Sequence, residues 1–354
     1  MKIAKIILTE QSIPYNSNGS WTQWLELFLQ SKYNNIDYVI CGTTTSSINS
    51  KTTFVQVEQN KNLVLKKMTP NYRYQNYASK LDLLMKAYDH CIIMVIDNLK
   101  LKDAISHYID SNNLKNKVSF LFYNCGFSYF LSQEKHKLFS NNLDEIIFLT
   151  KTAYLFNKNY YSEFIPEVTI LNNPILKTEF YEVNSEKKED LKDQHNLKGK
   201  KVYLWLSHDR PKKGLSIILN AWKTWSKTKT DVVLLIVGAN SETQIKGVEF
   251  IGEVAVNKVH VYYKLADVYL FPTLWKEGFG LSLSQAICSG CFCIAANNGG
   301  VSDFFTTNDG ILIDDPNIVN SWEKSLEVAY NQINSGWNNK YAGHQILNIE
   351  AWSE

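Results

Sequence analysis

The stretch from Val268 to Asp303, VYLFPTLWKEGFGLSLSQAICSGCFCIAANNGGVSD, constrains this chain more than any other. VYLFPT has the β-branched and aromatic bias of a buried parallel strand, and Pro272 near its end cannot continue a ladder, so the chain must turn there. Glu277, Gly278, Phe279 and Gly280 follow, and the two glycines let backbone N–H groups approach a ligand closely. Leu281 to Ile287 reads as the first turns of a helix, ended by Gly290. FCIAA is the next strand, and Gly299–Gly300 forms a second flexible turn at the same sheet edge. Free N–H groups and the positive dipole end at the start of that helix suit a phosphate-bearing ligand, with a diphosphate fitting best.

The chain of 354 residues is long for a single core. At about 100–200 residues per domain, two domains are expected. Apolar runs alternate with amphipathic segments throughout, the pattern of βαβ units. In the first half the expected strands are KIAKIIL, DYVIC, HCIIMVI, VSFLFY, EIIFL and VTIL, separated by helices over SWTQWLELFLQ, near Tyr77–Tyr88 and over LKDAISHYI. The block from Lys177 to Lys201 is dense in charge and poor in large aliphatics, and it reads as a surface connection. The pattern then restarts with VYLWLS, a helix near Leu215–Trp225, VVLLIVG, VEFIG and a helix near Val259–Leu265. From Asn320 onward the tail reads as mostly helical. The expected division is 1–175 for the first, acceptor-binding Rossmann-like domain, 176–335 for the second, donor-binding one, and 336–354 for a C-terminal helix packing back toward the first. The fold class is α/β, with a cleft between the two domains as the ligand site.

The formal net charge of +2 argues against a nucleic-acid partner, which would need a concentrated basic surface. Arginine occurs only at Arg73 and Arg210. Six cysteines are scattered over apolar segments without a disulfide framework, consistent with a reducing cytoplasm. Cys288, Cys291 and Cys293 straddle a helix end and a strand with no second Cys or His pair nearby, which favours packing over metal. The N-terminus lacks a long apolar h-region, and no stretch reaches the ~18 apolar residues of a membrane span. The expected location is therefore cytoplasmic. KHKLF near Lys135 reads as a helix face, with peripheral association at an anionic membrane as the second reading.

In VYLWLSHDRPKKGL, His208, Arg210, Lys212 and Lys213 follow the first strand of the second domain, where open α/β sheets place their ligands. Cations there would neutralise charge on a departing diphosphate. Lys213 and Arg210 are the functional candidates, and Lys212 reads as solvent-facing. Glu277 lies between a strand end and a helix start, placed to hydrogen-bond sugar hydroxyls and to counter an oxocarbenium-like transition state. Gln285 on the following helix could face the same ligand. No G-x-G-x-x-G follows the first strand, which disfavours a plain dinucleotide dehydrogenase. Gly19 in the corresponding loop either lets a phosphate approach the helix near Trp21 or is a loop glycine beside a cap.

These residues carry a resemblance. ADVYLFPTLWKEGFGLSLSQAICSGCFCIAANNGG is similar to the Pro–Ser/Thr, Glu–Gly–Phe–Gly, glutamate-seven-glutamate and Gly–Gly elements of the retaining glycosyltransferases of family 4, in that order. RPKKGL, VGANSE, IGEV and ILNNPI are weaker echoes. The resemblance implies the GT-B architecture of two facing Rossmann-like domains. It also implies transfer of a sugar from a nucleoside diphosphate sugar to a hydroxyl of a glycan or lipid-linked acceptor, with retention by front-side attack. Glu277 then contacts the donor sugar and Gln285 takes the ribose position, an amide where the family has an acid. His208 and Lys213 fall on the diphosphate positions, with Arg210 able to take over the arginine's task. Val254 would hold the nucleobase through its backbone. Gly278, Phe279, Gly280 and Leu281 complete the donor side.

Where the family often has a first-domain histidine, this chain has Tyr123 and Asn124, which are either acceptor-side contacts or strand-end structure. No cofactor is required in this reading, a UDP-sugar is favoured over a GDP-sugar, and without a D-x-D pair a metal-independent reaction is expected. Richness in lysine, asparagine, isoleucine and tyrosine suggests an AT-rich bacterial genome and a role in surface polysaccharide. The competing class is a GT-B binding or scaffold protein without transfer. An epimerase or phosphorylase of the same architecture has less sequence support.

Overall fold

A computed structural model describes residues 1–13, 20–43, 48, 50–58, 60, 71–242, 244–339 and 342–354. Two compact units emerge, Met1–Asn173 with Ile349–Glu354, and Pro174–Asn348. Each is built on one parallel sheet.

In the first unit the strands are β1 (Ile3–Ser12), β2 (Tyr38–Gly42), β3 (Thr53–Gln56), β4 (His90–Ile96), β5 (Val118–Asn124), β6 (Glu145–Phe148) and β7 (Glu167–Ile170), in the order β3-β2-β1-β4-β5-β6-β7. The helices are α1 (Ser20–Gln30), α2 (Gln75–Met85), α3 (Leu99–Ser111), α4 (Gln133–Ser140) and α5 (Lys151–Tyr160). Both faces of a parallel sheet are covered, so its strands are near-continuous apolar runs such as HCIIMVI. Ile93, Val95, Phe120 and Phe122 lie in one core with Leu101 and Ile105 of α3. Thr53–Gln56 escaped the sequence reading because TFVQ, half exposed at the sheet edge, has too few apolar residues to stand out.

The second unit holds α6 (Ser185–Gln194), β8 (Lys201–Leu206), α7 (Leu215–Trp225), β9 (Val232–Val237), β10 (Val248–Gly252), α8 (Val259–Leu265), β11 (Val268–Phe271), α9 (Leu281–Cys288), β12 (Phe292–Ala296), β13 (Gly310–Ile313) and α10 (Val319–Asn334). Its strand order is β10-β9-β8-β11-β12-β13. Trp205, Ile218, Trp222, Ile236, Leu270 and Ile294 belong to its core.

Two local readings are revised. The charged block before Lys201 is not merely a connection, because it contains α6, capped by Asn184, whose side chain accepts from Lys187 N–H at 2.9 Å. Lys192 on that helix is buried and pairs with Asp267 at 2.9 Å, and Asp267 also accepts from Val202 N–H at 2.8 Å. A buried carboxylate on a neighbouring strand end therefore docks a helix that its own apolar content would not hold. The tail is also less helical than expected. After α10 it runs mainly in turns of the second unit, and only α11 (Ile349–Ser353) and Glu354 belong to the first unit. There Trp352 packs on Trp24 and Phe28 of α1, with ring centroids 4.9 and 5.7 Å apart.

Candidate functional site

The loops after β8, β11 and β12 meet at the carboxyl ends of the second sheet, where β8 and β11 are neighbours although β9 and β10 follow β8 in sequence. Such a switch in strand order opens a crevice in which α/β sheets hold ligands. The loop after β8 closes through a short turn, Pro211–Lys213, into Gly214. Gly214 has φ of 70°, and a Cβ there would lie 2.0 Å from the Pro272 carbonyl oxygen. Only glycine lets this loop press against the end of β11. Leu274 N–H then donates to the Lys212 carbonyl at 2.8 Å, and the Trp205 indole donates to the Lys213 carbonyl at 3.3 Å.

With both loops locked, the Lys213 ammonium stands 2.6 Å from Glu277 Oε1, and the two side chains are 25% and 18% exposed. Residues 64 positions apart in sequence thus form a half-buried ion pair. Thr273 Oγ1 donates to the same Oε1 at 2.8 Å. The Glu277 backbone is fixed from the β12 side: its N–H donates to the Asn298 carbonyl at 3.3 Å, and its carbonyl accepts from Gly300 N–H at 2.8 Å. At Gly299, φ is 76° and a Cβ would fall 2.4 Å from the Glu277 carbonyl oxygen, so the second glycine turn is the clamp on the acid.

Gly280 caps α9, and among the described residues no side chain caps the N–H groups of the first turn after it, which leaves them to serve an anion, as expected for Leu281. Gln285 lies one turn further on the same face as Leu281, half-buried. Phe279, by contrast, turns its ring into the core against Phe304, with centroids 4.6 Å apart, so any donor contact from it is through the backbone. His208 and Arg210 are exposed on the β8 loop, and neither side chain pairs with another described residue. Lys212 is exposed as expected, and its ammonium lies over the Trp275 ring at 5.0 Å. Val254 is half-buried just past β10, whose last residue, Gly252, accepts from Gly238 N–H at 2.7 Å.

In the first unit Tyr123 and Asn124 end β5. Tyr123 is buried against Trp24, with centroids 5.1 Å apart, and burial holds its hydroxyl well above the usual phenol range. Asn124 donates to the Gly126 carbonyl at 2.9 Å and so closes its own turn, while its Oδ1 takes no hydrogen bond from a described residue. Gly19 lies outside the described residues. The three clustered cysteines are packed: Cys291 Sγ contacts the Tyr263 carbonyl at 3.3 Å, and burial pushes the thiols of Cys288 and Cys291 up to about 12. Sequence reasoning did not single out Thr273 and Asn298 as site residues. The Pro–Thr pair at the end of VYLFPT was the available signal for the first, and the turn before Gly299–Gly300 for the second.

Glycosyl transferases group 1 is the family model matched, over residues 187–335. That region is similar to the group 1 glycosyl transferases. It carries Lys213, the Glu277 loop and α9 together. A phosphatidyl-myo-inositol mannosyltransferase of Propionibacterium freudenreichii is 26% identical over 105 residues, which are 30% of this chain and 28% of that protein. The chain therefore matches under a third of that relative's length. Among solved structures, sucrose-phosphate synthase from Thermosynechococcus elongatus superposes with a TM-score of 0.77 at 14% identity, covering 100% of this chain and 96% of that one. An Anabaena protein, HepE, solved with UDP and glucose, superposes with a TM-score of 0.70 at 14% identity, covering 99% and 97%. At such identities the likeness is one of fold, and the fold is GT-B: two Rossmann-like α/β units, the second of them holding the region matched by the group 1 model.

Proposed function

We propose that the protein is a glycosyltransferase that moves a sugar from a nucleoside diphosphate sugar to a hydroxyl, with retention of anomeric configuration. The observation that carries this reading is the Lys213–Glu277 pair, 2.6 Å apart beside the uncapped amides of α9. A cation and a carboxylate in contact, both reaching solvent, meet the two needs of the reaction. The ammonium neutralises the diphosphate as the bond to the anomeric carbon breaks, and the carboxylate orients the sugar's hydroxyls. Arg210 or His208 would add positive charge from the same loop.

The bond from the anomeric carbon to the diphosphate breaks with its electron pair on the phosphate oxygen. The acceptor oxygen bonds to the same face of that carbon, and its proton passes to the departing phosphate. No side-chain base is then required. Gln285 would serve the ribose, and Val254 the base through its backbone. Gly278, Phe279, Gly280 and Leu281 would line the diphosphate through main-chain groups, and Gly19 is a further phosphate contact in this reading.

UDP is the favoured nucleotide, supported by the neighbour that holds UDP, and the reaction is proposed to be metal-independent. The acceptor, a glycan or a lipid-linked saccharide of bacterial surface polysaccharide, is assigned to the first unit, with Tyr123 and Asn124 on its side. A cytoplasmic site of action with peripheral membrane association is part of the proposal. It is supported by the outer face of α4, which presents Lys135, Lys137 and Leu138, the last 70% exposed. A second reading, a GT-B protein that binds nucleotide or glycan without transfer, is favoured by one observation: an amide, Gln285, where the ribose-binding acid is expected.

Calorimetry against UDP, GDP, ADP and CDP, with and without EDTA, followed by donor hydrolysis and transfer assays, tests the proposal. Binding of one diphosphate that persists in EDTA and is weakened by Lys213→Ala is the expected result. Tight binding with no hydrolysis or transfer of the matching donor would favour the second reading. No binding of any diphosphate would sink the transferase reading and leave the glycan-binding or scaffold reading in the lead.

A further inference from the structure

Glu277 has two carboxylate oxygens, and the protein uses only one of them. Oε1 accepts from Lys213 Nζ at 2.6 Å and from Thr273 Oγ1 at 2.8 Å. Oε2 takes no hydrogen bond from any described residue. A carboxylate held by a single flexible lysine would rotate freely, and its two oxygens would exchange roles. The threonine removes that freedom.

Thr273 is well made for the task. Its side chain is β-branched and 1% exposed, so its rotamer is set by packing. Pro272 precedes it with a fixed φ, and its carbonyl accepts from Asn298 Nδ2 at 2.9 Å. A hydroxyl has one proton to give. The Trp275 carbonyl, 3.3 Å away, and Glu277 Oε1, 2.8 Å away, compete for it. The ionised and nearer acceptor wins. The same oxygen accepts weakly from Trp275 N–H at 3.4 Å, which ties the bend of the loop to the threonine.

We propose that Thr273 is a positioning residue: with Lys213 it occupies Oε1 of Glu277 and so reserves Oε2 for a hydroxyl of the donor sugar. This rests on the transferase reading for the identity of the ligand, whereas the geometry it asserts for Glu277 does not. A threonine at this point would otherwise be only a turn residue, and valine, which has the same shape without the proton, separates the two roles.

Thr273→Val and Thr273→Ser are compared with the wild-type protein in melting temperature, in steady-state transfer and in crystal structures. Thr273→Val is expected to melt close to the wild type. Its kcat should fall roughly ten- to a hundredfold with donor KM changed by less than about threefold, since a hydrogen bond to an ionised group is lost only where it orients the sugar. Thr273→Ser should recover most of the loss. In the Thr273→Val crystal the Glu277 carboxylate should be rotated or withdrawn from Lys213.

Wild-type kcat in Thr273→Val, or no recovery by serine, would overturn the proposal. So would a Glu277 carboxylate that stays in place in the valine variant, whatever the activity. If the wild-type protein transfers no sugar from any donor, the transferase reading fails, and the position of Glu277 in the valine crystal still decides this inference. If valine prevents folding, the serine variant decides: a displaced carboxylate or a serine kcat reduced more than about tenfold counts against it.

Discussion

Each sheet of this protein places a carboxylate and a cation near the carboxyl ends of its strands, and the two pairs are built for opposite ends. In the first unit Glu10, late in β1, accepts from Arg73 on Oε1 and from Tyr74 and Asn98 on Oε2. Both oxygens are taken, and the partners come from the start of α2, the turn before it and the cap of α3, so the carboxylate ties three segments together. In the second unit Glu277 concentrates its partners on one oxygen and keeps the other in reserve. A saturated carboxylate contributes to stability, and one with a spare acceptor can meet a ligand. Charge and position alone do not separate the two cases; the hydrogen-bond count per oxygen does.

That contrast can be broken most sharply at Glu277. Glu277→Ala should lower transfer roughly a hundredfold or more, while stability changes by less than about 1 kcal/mol because the pair is partly exposed. Steady-state kinetics beside chemical denaturation would read both, and near-normal turnover would remove Glu277 from the mechanism. Lys213→Ala comes next. Calorimetry should show nucleoside diphosphate affinity weakened by about tenfold, the loss of one charge-assisted contact; unchanged affinity would move the diphosphate away from this lysine.

At Glu10 the order reverses. Glu10→Gln should cost about 1–2 kcal/mol in urea unfolding, discounted for partial exposure, with donor affinity kept within about twofold. A Glu10 variant that folds normally and loses donor binding would collapse the distinction between the two carboxylates.

The smallest expected effect concerns a second lysine. Lys102 of α3 is fully buried, its Nζ makes no hydrogen bond, and it lies 3.9 Å from Asp103 and 4.8 Å from the Phe139 ring centroid. Burial lowers its pKa from the ordinary 10.5 to about 8. Between those two values the unfolded chain binds the proton and the folded one does not, so stability rises with pH through this window and is diminished below pH 8. Lys102→Met should therefore stabilise the protein at pH 7 by roughly 1 kcal/mol and abolish that part of the slope. Equal slopes in the two proteins between pH 8 and pH 10 would show that the lysine reaches water.

Much of this architecture was legible because parallel strands buried on both faces have little choice of composition. HCIIMVI and VVLLIVG could hardly be anything else, and SWTQWLELFLQ shows the period of an amphipathic helix along its whole length. TFVQ and the helix within the charged block were not legible. The first is an edge strand with half its surface in water, and the second is held by Lys188 and Lys192 on Asp267, a residue far along the chain. At the site, the glycine loop, Glu277 and Lys213 stood out because strand ends followed by glycine and a helix start are rare and chemically specific. Thr273 and Asn298 did not stand out, since a threonine after a proline and an asparagine before glycines are ordinary turn residues until their partners are known.

The local alternation of apolar strand and amphipathic helix, the glycine turns at Gly278–Gly280 and Gly299–Gly300, and the chemical types available at each strand end were determined by the amino-acid order alone, because they depend on side-chain period and backbone sterics within a few residues. The tertiary structure decided which of those groups meet. It brought Lys213 to Glu277 across 64 residues, turned the Phe279 ring inward, and assigned Thr273 to one carboxylate oxygen and not the other. Those outcomes depend on distances of a few tenths of an ångström between loops of different strands, which only the packing of the whole sheet sets.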